Sequence, residues 1–208
     1  DAAHCFGVEF DGRSILNYGD VSCISFHATK YFHTIEGGAL VIPDDERFAR
    51  AQMMINFGFN GRGAIEELGI NAKMNEFEAA MGLCMLDEID RVKQARKERY
   101  LYYIERLGDV GSLSFPRFHP QCTRNYSYFP VIFESEAVAR RVMAELKRKD
   151  IHPRRYFHPS LESLPYLAEE RMEISADISG RILCLPLYHD LPEAIQEEIV
   201  DTVIRFAN

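Results

Sequence analysis

Lys30 is the residue on which chemistry can be built. It follows Ser25-Phe26-His27-Ala28-Thr29 and leads into Tyr31-Phe32-His33-Thr34-Ile35-Glu36-Gly37-Gly38. Val21 to Phe26 is rich in β-branched and aromatic residues and reads as a short buried strand, and Ala39 to Ile42 reads as another. Lys30 is therefore expected in a loop between two strands, where a lysine can be held still and partly desolvated. Desolvation weakens an amine's hold on its proton and makes it a nucleophile for an aldehyde. Ser25 offers a hydroxyl just upstream, and Gly37-Gly38 lets the backbone turn or approach a ligand closely.

The elements around this segment can be read in turn. Val8-Glu9-Phe10, the turn dipeptide Asp11-Gly12 and Arg13 to Leu16 form an expected hairpin. Pro43-Asp44-Asp45-Glu46 caps a helix with Phe48, Ala51, Met54 and Ile55 on one face. Asn56 to Ile70 is a long, polar, glycine-rich loop, a kind that is usually functional or mobile. Arg62 on it could meet a carboxylate or a pyrophosphate. Asn75-Glu76-Phe77-Glu78 has the arrangement of a capping box, opening a helix from about Glu76 to Leu107. Its apolar face is expected to hold Phe77, Ala80, Met81, Cys84, Ile89 and Val92, with the charged residues Arg91 to Arg99 outside. A helix of that length is expected to bend and to bridge two domains.

Composition narrows the function further. The 208 residues are 47% hydrophobic, enough for one or two domains with a core. A net charge of −8 without a basic run disfavours nucleic acid as a partner. No apolar run approaches the ~20 residues of a membrane span, so a cytoplasmic protein with no membrane partner is expected. Five cysteines without a close pair read as reduced thiols. His27 and His33, like His152 and His158, stand six apart, which does not suit a helical metal pair, and no metal is expected.

The segment SFHATKYFHTIEGGALV resembles the active-site segment of the DegT/StrS-like sugar-nucleotide aminotransferases, enzymes of fold type I that depend on pyridoxal 5′-phosphate (PLP). Position for position, the resemblance makes Lys30 the lysine that carries the cofactor as a Schiff base, and Ser25 a ligand of its phosphate. Asp1-Ala2-Ala3-His4 is similar to the family's D-x-A-H or D-x-A-Q element. It gives Asp1 the contact with the pyridine nitrogen and His4 the hydrogen bond to the phenolic oxygen. Met74-Asn75-Glu76-Phe77-Glu78-Ala79-Ala80 resembles another family pattern, by which Asn75 reaches the cofactor phosphate of a neighbouring subunit. That role is compatible with Asn75 as a helix cap.

The resemblance implies transamination, with glutamate as amino donor and Lys30 as proton shuttle; relatives with histidine in place of the lysine dehydrate instead. The His-Thr-Ile wording before the glycines is similar to enzymes that aminate dTDP-4-keto-6-deoxy-glucose, as in viosamine formation for polysaccharide or O-antigen. Related 3-keto, UDP-linked and GDP-linked sugars stay open. A homodimer sharing its active sites across the interface is implied. So is a missing N-terminal portion of more than a hundred residues, holding a second phosphate-binding segment and a ring-stacking aromatic. A truncated, catalytically silent fragment acting only in assembly or binding is the alternative.

Past Gly108 the composition changes. Gly111 to Thr123 reads as a linker, and Asn125 to Phe133 as a strand that Pro130 would place at an edge or a bulge. Glu136 to Lys149 is expected to be a helix with Val138, Val142, Ala144 and Leu146 inward. Ile151 to Phe157 is expected to be a strand, Ile174 to Leu183 and Leu191 to Phe206 helices, and Leu185 to Tyr188 a buried connector. Arg154, Arg155 and Tyr156 are the expected substrate stretch, since guanidinium and ring together suit a sugar diphosphate. The expected fold class is α/β: residues 1–107 as the C-terminal part of a fold-type-I PLP aminotransferase large domain, then a small α+β domain over 108–208.

Overall fold

The computed structural model describes residues 1–167 and 172–207. Their packing divides into two compact units, Asp1–Asp90 with His119–Asn125, and Arg91–Phe118 with Tyr126–Asn208. The division falls inside a helix, upstream of residue 107, because the end of that helix belongs to the core of the second unit.

In the first unit, β1 (Glu9–Phe10) and β2 (Arg13–Ser14) pair antiparallel. Asp11 and Gly12 between them have φ of 51° and 72°, as a two-residue hairpin turn requires. The second strand does not reach Leu16. Ile15–Asn17 instead form a single 3₁₀ turn, with Ser14 Oγ accepting from the Leu16 N–H. β3 (Ser22–Ser25) pairs antiparallel with β4 (Gly38–Val41), setting Ser25 opposite Gly38. No Cβ is tolerated at Gly38, since it would stand 2.8 Å from the Ile24 carbonyl oxygen.

Helix α1 (Asp45–Met54) starts on Asp44, whose carboxylate accepts from the Arg47 N–H at 2.8 Å. The glycine-rich loop after it is folded back on the helix end: Gly58 N donates to Met53 O, Glu66 N to Gly58 O and Ile70 N to Met54 O. Gly58 has φ of 82°, and a Cβ there would overlap the Glu67 carbonyl oxygen.

Helix α2 (Glu76–Leu107) opens on the capping box read from the sequence. Asn75 Oδ1 accepts from the N–H groups of Phe77 and Glu78, both at 3.0 Å, and Glu78 Oε2 accepts from Asn75 N. The inward side of its first half carries Met81, Gly82, Met85 and Ile89, whereas Phe77 and Cys84, expected inside, are exposed. Nor do all the basic residues of its middle point outward. Arg96 donates to the carbonyls of Tyr126 and Ser127, and Arg99 to that of Leu191. These guanidinium groups satisfy backbone acceptors that no ladder reaches.

The second unit holds a three-stranded antiparallel sheet of β5 (Leu113–Ser114), β6 (Phe129–Phe133) and β7 (Ile182–Leu185), with β6 in the middle. Pro130 thus sits on a central strand rather than at an edge. It is tolerated because β5 is only two residues long and pairs with Ile132 and Phe133, leaving nothing opposite Pro130 on that side. Helices α3 (Glu136–Arg148), α4 (Glu173–Arg181) and α5 (Glu193–Ala207) complete the unit.

Along α3 the buried residues are Ala139, Val142 and Leu146, with Ala144 exposed. Ile151 to Phe157 does not form a strand. A single bridge, Arg154 to Cys184, is made there. The expected helix over Ile174–Leu183 ends at Arg181, since Ile182 to Leu185 are drawn into the sheet by pairing with β6. The core joins both sources: Tyr100, Tyr103 and Leu107 of α2 pack with Phe129, Val131, Phe133, Leu183 and the inner faces of α3 and α5.

Candidate active site

Lys30 lies in the loop between β3 and β4, and this loop is held at both ends. Phe26 N donates to Gly37 O at 2.8 Å and Thr34 N to Phe26 O at 2.9 Å, so the chain crosses back on itself beneath the lysine. Tyr31 and Phe32, directly after Lys30, are buried at 6% and 5% exposure. Phe32 stacks on Phe6 at 4.2 Å between centroids and meets Phe26 edge-on at 5.0 Å. The Tyr31 hydroxyl donates to the Ile89 carbonyl on α2. Two large buried rings directly after the lysine fix its backbone.

The N-terminal segment is brought to the same place. Ala2 N donates to Cys23 O on β3 at 2.9 Å. Asn125, 8% exposed, donates from Nδ2 to the carbonyls of His4 (2.7 Å) and Phe6 (3.1 Å). His4 Nε2 then stands 2.8 Å from Lys30 Nζ, both side chains half-buried. Burial, and after it the charge on Lys30, hold the His4 imidazole below the usual histidine range. A neutral ring with an Nε2 lone pair is the form that can accept from the lysine.

The other expected residues of the first unit are placed as follows. Asp1 is exposed, and its Oδ1 accepts from Ala3 N at 2.9 Å. Ser25 Oγ accepts from His27 N at 3.3 Å, which leaves its own O–H to donate elsewhere. Asn75 uses Oδ1 for the helix cap, leaving the Nδ2 donors for another acceptor. Its neighbour Met74 packs against the loop end, because a Cβ on Gly37 would come within 2.8 Å of Met74 Cε.

The second unit holds Arg154, Arg155 and Tyr156, which differ in what they can offer. Arg154 is exposed. Arg155 is largely buried and its Nη2 donates to Gly180 O (2.6 Å) and to Glu136 Oε1 (3.1 Å), so it ties α3 to the end of α4. Tyr156 meets Tyr128 edge-on at 5.3 Å and stacks on Phe157.

Several positioning residues escape a reading by motif: Asn125, far along the chain, and the ring cluster of Phe6, Phe26 and Phe32. The loop is also bridged by His27, whose Nδ1 pairs with Thr29 Oγ1 at 2.8 Å and whose Nε2 lies 3.6 Å from Glu36. The density of aromatics flanking Lys30 is the one signal in the sequence that points to them.

The donor set suits a phosphorylated aldehyde with a ring nitrogen. It includes one amine, a hydroxyl, an amide, a carboxylate and an imidazole, of which the imidazole of His4 is in contact with the amine of Lys30. Pyridoxal 5′-phosphate is such a molecule, and Lys30, Ser25, Asn75, Asp1 and His4 are the residues that would hold it.

The chain resembles known proteins over nearly its whole length. The chain is 38% identical, over 98% of its length, to a dTDP-4-amino-4,6-dideoxy-D-glucose transaminase of Shigella dysenteriae. It is 32% identical to one of Escherichia coli. It spans 57% of the length of each of these relatives. Its fold superposes on DesI, solved in the presence of its TDP-sugar product, with a TM-score of 0.89 at 33% identity, covering all of this chain and 54% of that one. The aminotransferase TlmJ from Streptoalloteichus hindustanus shares the fold, with a TM-score of 0.90 at 24% identity over 99% of this chain and 57% of that one. The sequence pattern of one family extends over residues 1–204, and by that match the chain belongs to the DegT/DnrJ/EryC1/StrS aminotransferase family.

Proposed function

We propose that this chain is the lysine-bearing part of a PLP-dependent aminotransferase that aminates a nucleotide-linked keto-deoxy sugar, dTDP-4-keto-6-deoxy-glucose being the favoured substrate and glutamate the donor. The observation that carries this is the half-buried amine of Lys30, followed by two buried rings and facing His4, in a chain whose relatives are named for the corresponding amino-sugar transamination. The cofactor, when bound, supplies an aldehyde with which amines condense and a ring that takes up the electrons left when a carbon loses its proton.

The chain's own residues would divide the remaining work. Lys30 would hold the cofactor through its amine, and that amine, when free, would serve as the base and acid that moves a proton. Ser25 O–H and Asn75 Nδ2 would donate to the phosphate, Asn75 from the partner subunit of a homodimer. The Asp1 carboxylate would hold a proton on the ring nitrogen, and His4 would hydrogen-bond the phenolic oxygen. In the second unit, Arg154 would pair with the diphosphate and Tyr156 offer a ring face, while Arg155 supports them by holding α3 and α4 together.

The test is an assay of the intact protein with glutamate and a panel of dTDP-, UDP- and GDP-linked keto sugars, with products identified by mass and NMR. The reading expects a 4-amino-4,6-dideoxy sugar from the dTDP substrate and 2-oxoglutarate in equal amount. Turnover confined to a 3-keto or a UDP- or GDP-linked sugar would replace the substrate while keeping the class of reaction. No amination of any of them would overturn it.

A further inference from the structure

The contact between His4 and Lys30 leads one step beyond holding a cofactor, although it rests on the aldehyde chemistry proposed for Lys30. An ammonium has no lone pair to give a carbonyl carbon, so the amine must react as the free base. As the new C–N bond forms, the nitrogen becomes cationic and its remaining protons turn strongly acidic, so a base within hydrogen-bond reach must remove one. The carbonyl oxygen can then depart only as water, which needs two protons delivered to it in turn, one to make it a hydroxyl and one as it leaves. One group that alternates between base and acid satisfies both demands.

We propose that His4 is that group: its Nε2 takes one proton from Lys30 Nζ as the bond to the aldehyde carbon forms and passes it to the carbonyl oxygen, then takes the second Nζ proton as the C=N bond forms and passes it to the same oxygen, which leaves as water. The balance is an amine plus an aldehyde giving a C=N bond and one water, with His4 unchanged at the end and nothing oxidised or reduced.

The geometry supports the assignment. Nε2 and Nζ are 2.8 Å apart, so no movement is needed for the proton to pass. The backbone on either side of His4 is held by Asn125, which donates to the carbonyls of His4 and Phe6, and Phe6 in turn stacks on Phe32 close after the lysine. Lys30 is a charged side chain in contact with the ring. The adjacent Cys5 thiol is pushed up by burial, away from the thiolate, with the chain's N-terminal amine and the Cys122 thiol also acting on it. Because burial and Lys30 depress the acidity range of His4, its ring is neutral at neutral pH and ready to accept.

The experiment uses formaldehyde as the probe aldehyde, with a mild borane reductant to trap the product, on the intact protein free of cofactor. Labelling at Lys30 is read against exposed Lys97 by peptide mass mapping. In His4→Gln, which keeps a hydrogen bond but cannot carry the proton, the Lys30-to-Lys97 ratio is expected to fall roughly tenfold or more at neutral pH. In the unaltered protein the same ratio is expected to fall as pH drops below the His4 titration, where the ring becomes a cation. An unchanged ratio in His4→Gln would overturn the proposal, and should that variant fail to fold, a ratio flat across the His4 titration would do the same. Added PLP separates this inference from the cofactor reading. An absorbance change that develops equally fast in both proteins refutes the role of His4 and leaves the cofactor reading intact. A lowered formaldehyde ratio without any PLP adduct does the reverse.

Discussion

A single charge links the two residues at the centre of the site. Removing it in Lys30→Met should let the His4 titration, followed by NMR of its ring protons, move up toward the ordinary value. It should stop short of that value, because burial is the larger cause of the shift and persists. A downward move or none would mean that the lysine does not face the ring. The same depression links His4 to stability. Folding lowers its proton affinity, and that of His33 by burial, so the unfolded chain binds protons more readily near the ordinary value of about 6.5. Stability that is fully present above that value should therefore decline as pH falls through the lowered ones. Thermal melts between pH 8 and pH 5 check this, and His4→Gln should flatten part of the decline. In the second unit, neighbouring arginines should separate cleanly. Arg155→Ala removes buried contacts to Glu136 and Gly180 and should cost on the order of 2 kcal/mol of stability. Arg154→Ala should leave the melt alone and raise the KM for the sugar nucleotide roughly tenfold. Equal effects in the two assays would undo that division of roles.

Among the elements, the start of α2 allows the sharpest comparison. Asn75→Ala leaves the N–H groups of Phe77 and Glu78 without an acceptor and should cost about 1 kcal/mol, read from denaturant unfolding. Asn75→Asp keeps the cap, so stability should hold, but it sets an anion where a phosphate is proposed to bind and should weaken cofactor retention. If Asp retains cofactor as well as Asn does, the cap is the whole role of this residue. The capping box was legible because it is local: two side chains three residues apart settle it. The Lys30 loop between two strands was legible for the same reason. Residues 151–157 and 182–185 were not, because whether a short apolar run becomes a strand depends on which distant partner offers its edge, and β6 takes the second run and leaves the first a single bridge. Pro130 misled because its position in a strand depends on the length of β5. Asn125 was invisible as a site residue: its partners are carbonyls more than a hundred positions away, and no motif marks them.

For the molecule as a whole, the first half of α2 is apolar on two sides. One side packs within its unit, while Phe77, Ala80, Leu83 and Cys84 share an exposed side, with Phe77 at 87% and Leu83 at 66%. A helix apolar on both sides is one that buries both, and the proposed homodimer would cover the second. Leu83→Glu should therefore lower the sedimentation mass of the intact protein to that of one chain; an unchanged mass would place the interface elsewhere. The measurement that bears most directly on the central claim is the covalent state of Lys30. PLP is added to the intact protein, the mixture is reduced with borohydride and digested, and the peptides are mapped by mass. The account predicts a phosphopyridoxyl adduct on Lys30, lost in Lys30→Ala along with the visible absorption. An adduct spread over surface lysines, or a visible band that survives Lys30→Ala, would contradict it.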